Sequence, residues 1–134
     1  AKKEGMTVLA MSSYRSYEYQ VNLYNNYVAS DGKEAADTYS ARAGYSEHQT
    51  GLAVDVYNGD LPYTSFEETE EFNWMQENAY KYGFILRFPE DKVTITGYQY
   101  ESWHYRYVGI KEATYIHEHN LTLEEYYVKK VEKY

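Results

Sequence analysis

The chain has 134 residues and no cysteine, which fits one domain with a real core and excludes both disulfides and a thiolate metal site. A formal charge of −8 repels nucleic-acid phosphates and anionic membrane surfaces, so neither is expected as a partner. Apolar residues make up 43% of the sequence, enough for a folded core, yet no apolar run approaches the ~20 residues that a membrane span needs.

In chain order, Met6-Thr-Val-Leu-Ala-Met11 is a short apolar run with β-branched members and reads as a buried strand, ended by Ser12 to Ser16. Arg15 lies at its exit, where a side chain can reach into a cleft. From about 17 to 29, Val21, Tyr24, Tyr27 and Val28 recur at helical spacing, with Gln20 in the first turns and Asp31-Gly32 as the stop. Residues 33–45 are polar and alanine-rich, consistent with a short helix and a loop closing over His48. A strand is expected over 51–57, then turn chemistry at Asn58-Gly-Asp-Leu-Pro62. Ser65-x-x-Glu68 reads as a capping box for a helix over 66–82 that Gly83 stops. Strands are expected over 84–88, 93–98 and 102–108. Thr122, with Glu125 three residues on, reads as the cap of a final helix. The expected architecture is therefore α+β, a single domain over 1–134: an antiparallel sheet, helices 17–29 and 66–82 packed against it, and a helical C-terminus.

Two stretches carry chemistry. In Ser46-Glu-His-Gln-Thr-Gly-Leu-Ala-Val-Asp55, an imidazole at His48 and a carboxylate at Asp55 are zinc-compatible ligands. Gly51 lets the backbone turn, and the alternation after it puts Leu52, Val54 and Val56 on one face and Ala53 and Asp55 on the other. Two ligands do not hold a catalytic zinc. Glu101-Ser-Trp-His104 offers the third in His104, with Glu101 as a carboxylate that takes a proton from the attacking water and does not ligate. Positions three apart in a regular strand face opposite ways, so Glu101 must sit at a strand start or a bulge. Taken singly, His48 and Asp55 are more often an exposed or hydrogen-bonded pair than ligands, and a carboxylate such as Glu101 near a strand edge is usually solvated; the set is what points to a metal centre.

Ser46-x-His48-x-x-Gly51-x-Ala53-x-Asp55, followed by Glu101-x-Trp103-His104, resembles the signature of the VanY-type D-alanyl-D-alanine carboxypeptidases, zinc peptidases of the bacterial cell wall. Similarity extends to Ser13-Tyr-Arg-Ser16, Gln20, Gly83 to Phe88 and Trp103 to Gly109, nearly the whole chain. Ala43 departs from it, standing where relatives often carry proline before Gly-x-Ser. The resemblance implies Zn2+ held by His48, Asp55 and His104, with Glu101 as the base. It implies that Arg15 steadies the oxyanion or the substrate's terminal carboxylate, and that Ser46 and Gln20 contact substrate; Arg42 and Arg87 are further candidates. Their bland readings are a surface ion pair for Arg15 and ordinary turn and helix roles for Ser46 and Gln20.

The implied activity is removal of the C-terminal D-alanine from peptidoglycan stem peptides, outside the bacterial membrane or at its cell-wall face. Ala1-Lys-Lys-Glu4 is not a signal peptide, so a leader or anchor is expected to be missing from this chain. A monomer is expected. An L,D-carboxypeptidase acting on tetrapeptide stems needs the same metal chemistry. A third reading is a zinc-stabilised wall-binding module without turnover, against which the intact Glu101 speaks. His117-x-His119 is not a second metal site, because residues two apart on a helix do not face each other.

Overall fold

The computed structural model describes residues 2–12, 16–37, 41 and 46–132, so Arg15, Arg42 and Ala43 lie outside the described residues. Four strands, β1 (Leu9–Ser12), β2 (Ala53–Tyr57), β3 (Phe84–Leu86) and β4 (His104–Tyr107), form an antiparallel sheet in the order β1-β2-β4-β3. Across the two central strands Ala53 faces Arg106, Val54 faces Tyr105 and Asp55 faces His104. Ile85 and Leu86 of β3 then pair with Arg106 and Tyr105.

Because strand side chains alternate, this register sorts the residues into two faces. Val54, Val56, Tyr105 and Leu86 share one, and they pack with Phe66, Met75 and Ala79 into the larger apolar cluster. Tyr105 is 1% exposed there, and its hydroxyl accepts a hydrogen bond from Gln76 Nε2 at 3.2 Å. The other face carries Asp55, His104, Arg106 and Ile85. Toward Ile85 it joins a second cluster with Ala113, Ile116 and Leu123 beneath the two C-terminal helices. Asp55 and His104 are left to floor a cleft.

The helices are α1 (Tyr17–Asp31), α2 (Lys33–Ala36), α3 (Glu70–Asn78), α4 (Val93–Thr96), α5 (Ile110–Glu118) and α6 (Leu123–Glu132). Among the described residues, none is long and apolar enough to cross a membrane. Ser16 caps α1, its Oγ accepting from Tyr19 N–H at 3.1 Å, and Thr122 and Glu125 exchange both bonds of a capping box before α6, at 3.1 and 3.0 Å.

Four expectations change. β1 begins at Leu9 and is not buried: Leu9 and Met11 are 43% and 53% exposed, because an edge strand has a neighbour on one side only and this one bulges between Ala10 and Ser12. Over 66–82 the helix is broken. A 3-10 segment, Tyr63–Glu68, precedes α3, whose cap is Thr69 and not Ser65; Thr69 Oγ1 accepts from Phe72 N–H at 3.1 Å. The 93–98 stretch is no strand. Its β-branched residues find no sheet edge, Val93 and Ile95 stay exposed, and the backbone closes on itself as α4 with Gly97 N–H on the Val93 carbonyl at 2.9 Å. Finally, β4 starts at His104, not Ser102.

Candidate metal centre

His48 sits on a 3-10 segment, Glu47–Thr50, whose cap is Ser46: its Oγ accepts from His48 N–H at 3.3 Å. Gly51 follows at φ 75°, a left-handed conformation that favours glycine, and turns the chain into β2. Asp55 and His104 are then brought together by strand register. Glu101 precedes β4 on a turn. Its carbonyl accepts from His104 N–H at 3.4 Å and its own N–H donates to the Phe88 carbonyl at 3.1 Å, so Glu101 stays beside the cleft without the strand start or bulge that regular β geometry required.

One donor atom from each of His48, Asp55 and His104 lies within 4.8 Å of the others. Asp55 Oδ1 is 3.2 Å from His48 Nε2 and 2.9 Å from His104 Nδ1. All three residues are buried. The imidazoles meet edge to face with centroids 4.9 Å apart, and Phe88 stacks on His104 at 5.0 Å, which leaves the rings little freedom to turn. Burial alone would raise the Asp55 pKa, but hydrogen bonds from His104 and His48 hold it down at about 2. For His104 burial would lower the pKa, and the Asp55 and Glu47 carboxylates lift it to about 9. The two shifts are reciprocal: the imidazoles favour the charged carboxylate of Asp55, and the carboxylates of Asp55 and Glu47 favour positive charge on His104. Two imidazole nitrogens, one carboxylate oxygen and an open cleft side suit a divalent metal with three protein ligands.

The cleft measures about 370 Å³, and Gln20, Ser46 and Glu101 line it together with the three candidate ligands. Tyr63 and Trp103, edge to face at 5.2 Å, form an aromatic wall. Gln20 is 1% exposed and donates its amide to the Ala41 carbonyl, so it ties α1 to the segment leading toward His48. His117 and His119 stack on Tyr80 and Tyr115, and His119 Nδ1 lies 2.9 Å from the Tyr115 carbonyl at the C-terminal end of α5.

Glu47 went unnoticed in the sequence, although it adjoins His48. It contacts His104, Arg87 and Arg106 at once. Arg106 had a readable signal, since it lies two residues past His104 on the same strand and so on the same face. For Glu47 itself, adjacency to a candidate ligand was the sole cue.

The family description VanY, D-alanyl-D-alanine carboxypeptidase, matches residues 1–110. YodJ of Bacillus subtilis (strain 168) is 49% identical over 132 residues, covering 96% of this chain and 48% of its own length, so the chain spans about half of that relative. A structure of the LdcB LD-carboxypeptidase superposes with a TM-score of 0.89 at 48% identity, over 96% of this chain and 61% of that one. VanYB in complex with D-alanine-D-alanine superposes with a TM-score of 0.83 at 41% identity, over 94% of this chain and 73% of that one. A match running through residue 110, and near-half identity to YodJ across almost all of this sequence, show that the chain belongs to the VanY family of D-alanyl-D-alanine carboxypeptidases.

Proposed function

We propose that these 134 residues act as a single zinc-dependent carboxypeptidase domain that removes the C-terminal D-alanine from peptidoglycan stem peptides. The observation that carries this reading is the convergence of His48, Asp55 and His104 on one point at the floor of a cleft that Glu101 also lines. Bound there, zinc supplies Lewis acidity that makes water nucleophilic near pH 7 and polarises a carbonyl.

The chain's own residues do the rest. His48, Asp55 and His104 hold the ion. Glu101 takes the proton of the attacking water as the new C–O bond forms, and gives it to the amine of the departing D-alanine as the C–N bond breaks. Arg15, placed by sequence resemblance, steadies the oxyanion or the terminal carboxylate with its planar fork. Ser46 and Gln20 contribute to the substrate side of the cleft. The substrate class is supported by VanYB, whose structure is a complex with D-alanine-D-alanine. In this reading the protein acts as a monomer, outside the cell or at the cell-wall face of the bacterial membrane, and the location of such a substrate supports the placement.

A second reading, L,D-carboxypeptidase action on tetrapeptide stems, is favoured by the higher TM-score against LdcB, 0.89 compared with 0.83 for VanYB. Mass spectrometry of synthetic pentapeptide and tetrapeptide stems incubated with zinc-loaded protein separates the two. Loss of D-alanine from the pentapeptide supports the first reading, and loss from the tetrapeptide alone moves the assignment to the second. Stoichiometric zinc and wall-fragment binding without any release would make the chain a binding module.

A further inference from the structure

A histidine that ligates a metal is generally held by donating its second ring N–H to a carboxylate or carbonyl, which sets both ring orientation and tautomer. In His104 the two nitrogens have separate partners. Nδ1 faces Asp55 Oδ1 at 2.9 Å, inside the donor cluster, while Nε2 faces Glu47 Oε1 at 3.1 Å. With the proton on Nε2, the Nδ1 lone pair is aimed at the point where a metal would sit.

Glu47 is itself clamped. Its second oxygen, Oε2, accepts from Arg87 Nε at 2.6 Å and from Arg106 Nη1 at 2.8 Å. Arg87 then uses its other two nitrogens on Glu124, a two-pronged contact with both distances at 2.7 Å. All three guanidinium nitrogens of Arg87 are thereby committed within the protein, which argues against the substrate contact considered for it. Glu124 lies on α6, beyond the residues 1–110 that the family description matches.

We propose that Glu47 is the positioning residue of His104, and that Glu124, acting through Arg87, makes helix α6 part of the scaffold of the metal centre. The carboxylate is suited to this place because it meets an imidazole N–H on one oxygen and two guanidinium groups on the other. Charge-assisted bonds such as those of Glu47, and the two-pronged Arg87–Glu124 contact above all, are the stronger and more directional hydrogen bonds. The chain of contacts runs from α6 to β3's end, to the turn before His48, and to the ring that supplies one of the three donors.

This inference rests on the metal reading, and the test is arranged to tell the two apart. Zinc affinity would be measured by competition with a chromophoric chelator for the wild-type chain, Glu47→Ala, Glu47→Gln and Glu124→Gln. Long-range proton–nitrogen spectra of the zinc-loaded proteins would read which nitrogen of His104 carries the proton. The expected result is one zinc and an Nε2–H tautomer in the wild type, with affinity about 10- to 100-fold weaker in Glu47→Ala. A smaller loss in the same direction is expected for Glu47→Gln and Glu124→Gln, with a shifted His104 nitrogen resonance. Wild-type affinity and unchanged His104 resonances in the variants would overturn the proposal while leaving the metal reading intact. A wild-type chain that takes up no zinc would remove both. If Glu47→Ala does not fold, Glu47→Gln and Glu124→Gln decide by the same two measurements.

Discussion

Asp55 and His104 are direct partners across β2 and β4, and that pairing sets Oδ1 2.9 Å from Nδ1. Two of the three candidate ligands are thus placed by sheet register, and a slip of one residue would send either to the opposite face. His104→Ala is expected to lose stoichiometric zinc together with D-alanine release. Metal analysis after dialysis checks this; full occupancy in the variant would exclude His104 as a ligand.

Glu101 stands apart from the donor set yet lines the same cleft. Glu101→Ala should therefore keep its zinc and lose about 100- to 10,000-fold in the rate of D-alanine release, the usual contribution of a positioned base. Loss of the metal in this variant would make Glu101 a ligand and leave the proposed mechanism without its proton acceptor.

Arg15→Ala should lower turnover by about 100- to 1,000-fold, as the removal of one oxyanion donor does elsewhere, with zinc content unchanged. Wild-type kinetics would return Arg15 to an ordinary surface pair.

The capping box at the start of α6 gives a pH dependence whose sign is fixed. The Thr122 backbone N–H holds the Glu125 pKa below its ordinary 4.5; burial opposes it, and Lys92, 3.1 Å away, adds to the lowering. A carboxylate with a lowered folded-state pKa stabilises the fold fully above its unfolded value, and that contribution is lost as pH falls through the lowered one. Urea unfolding of metal-free protein should show Glu125→Gln less stable than wild type at pH 7, with the gap narrowing below pH 4.5. A gap independent of pH would mean that charge on Glu125 is irrelevant. Thr122→Ala should cost about 1 kcal/mol, the typical value for losing such a cap.

Gly83 ends a 3-10 segment, Ala79–Tyr82, before β3 at φ 90°, and a Cβ there would meet the Tyr107 ring at 2.6 Å and the Gly109 carbonyl carbon at 3.1 Å. Gly83→Ala should destabilise the chain by about 1–3 kcal/mol from the backbone conformation alone, before any clash is counted. Equilibrium denaturation reads the difference, and an unchanged midpoint would show that the turn can relax.

What could be read along the chain was local. The spacing of His48, Gly51 and Asp55, the short step from Glu101 to His104, the Thr122 cap and the Gly83 stop all depend on dihedral preferences or on bonds spanning a few residues. Such signals survive in a linear sequence, because the partners lie close together in it. The same local logic misplaced 93–98, where a β-branched run had no sheet edge to join, and buried β1, which the fold left at the edge.

The Glu47 network belongs to the folded chain. Glu47 meets Arg87 across 40 positions and Arg106 across 59, and Arg87 meets Glu124 across 37. No period or spacing announces contacts that exist only after β2, β4 and β3 have taken their register and α6 has docked on Ile85. Chemistry-bearing residue types are therefore legible one segment at a time. Which of them touch is decided by long-range packing, where burial and strand order select one arrangement among many that local preference allows equally.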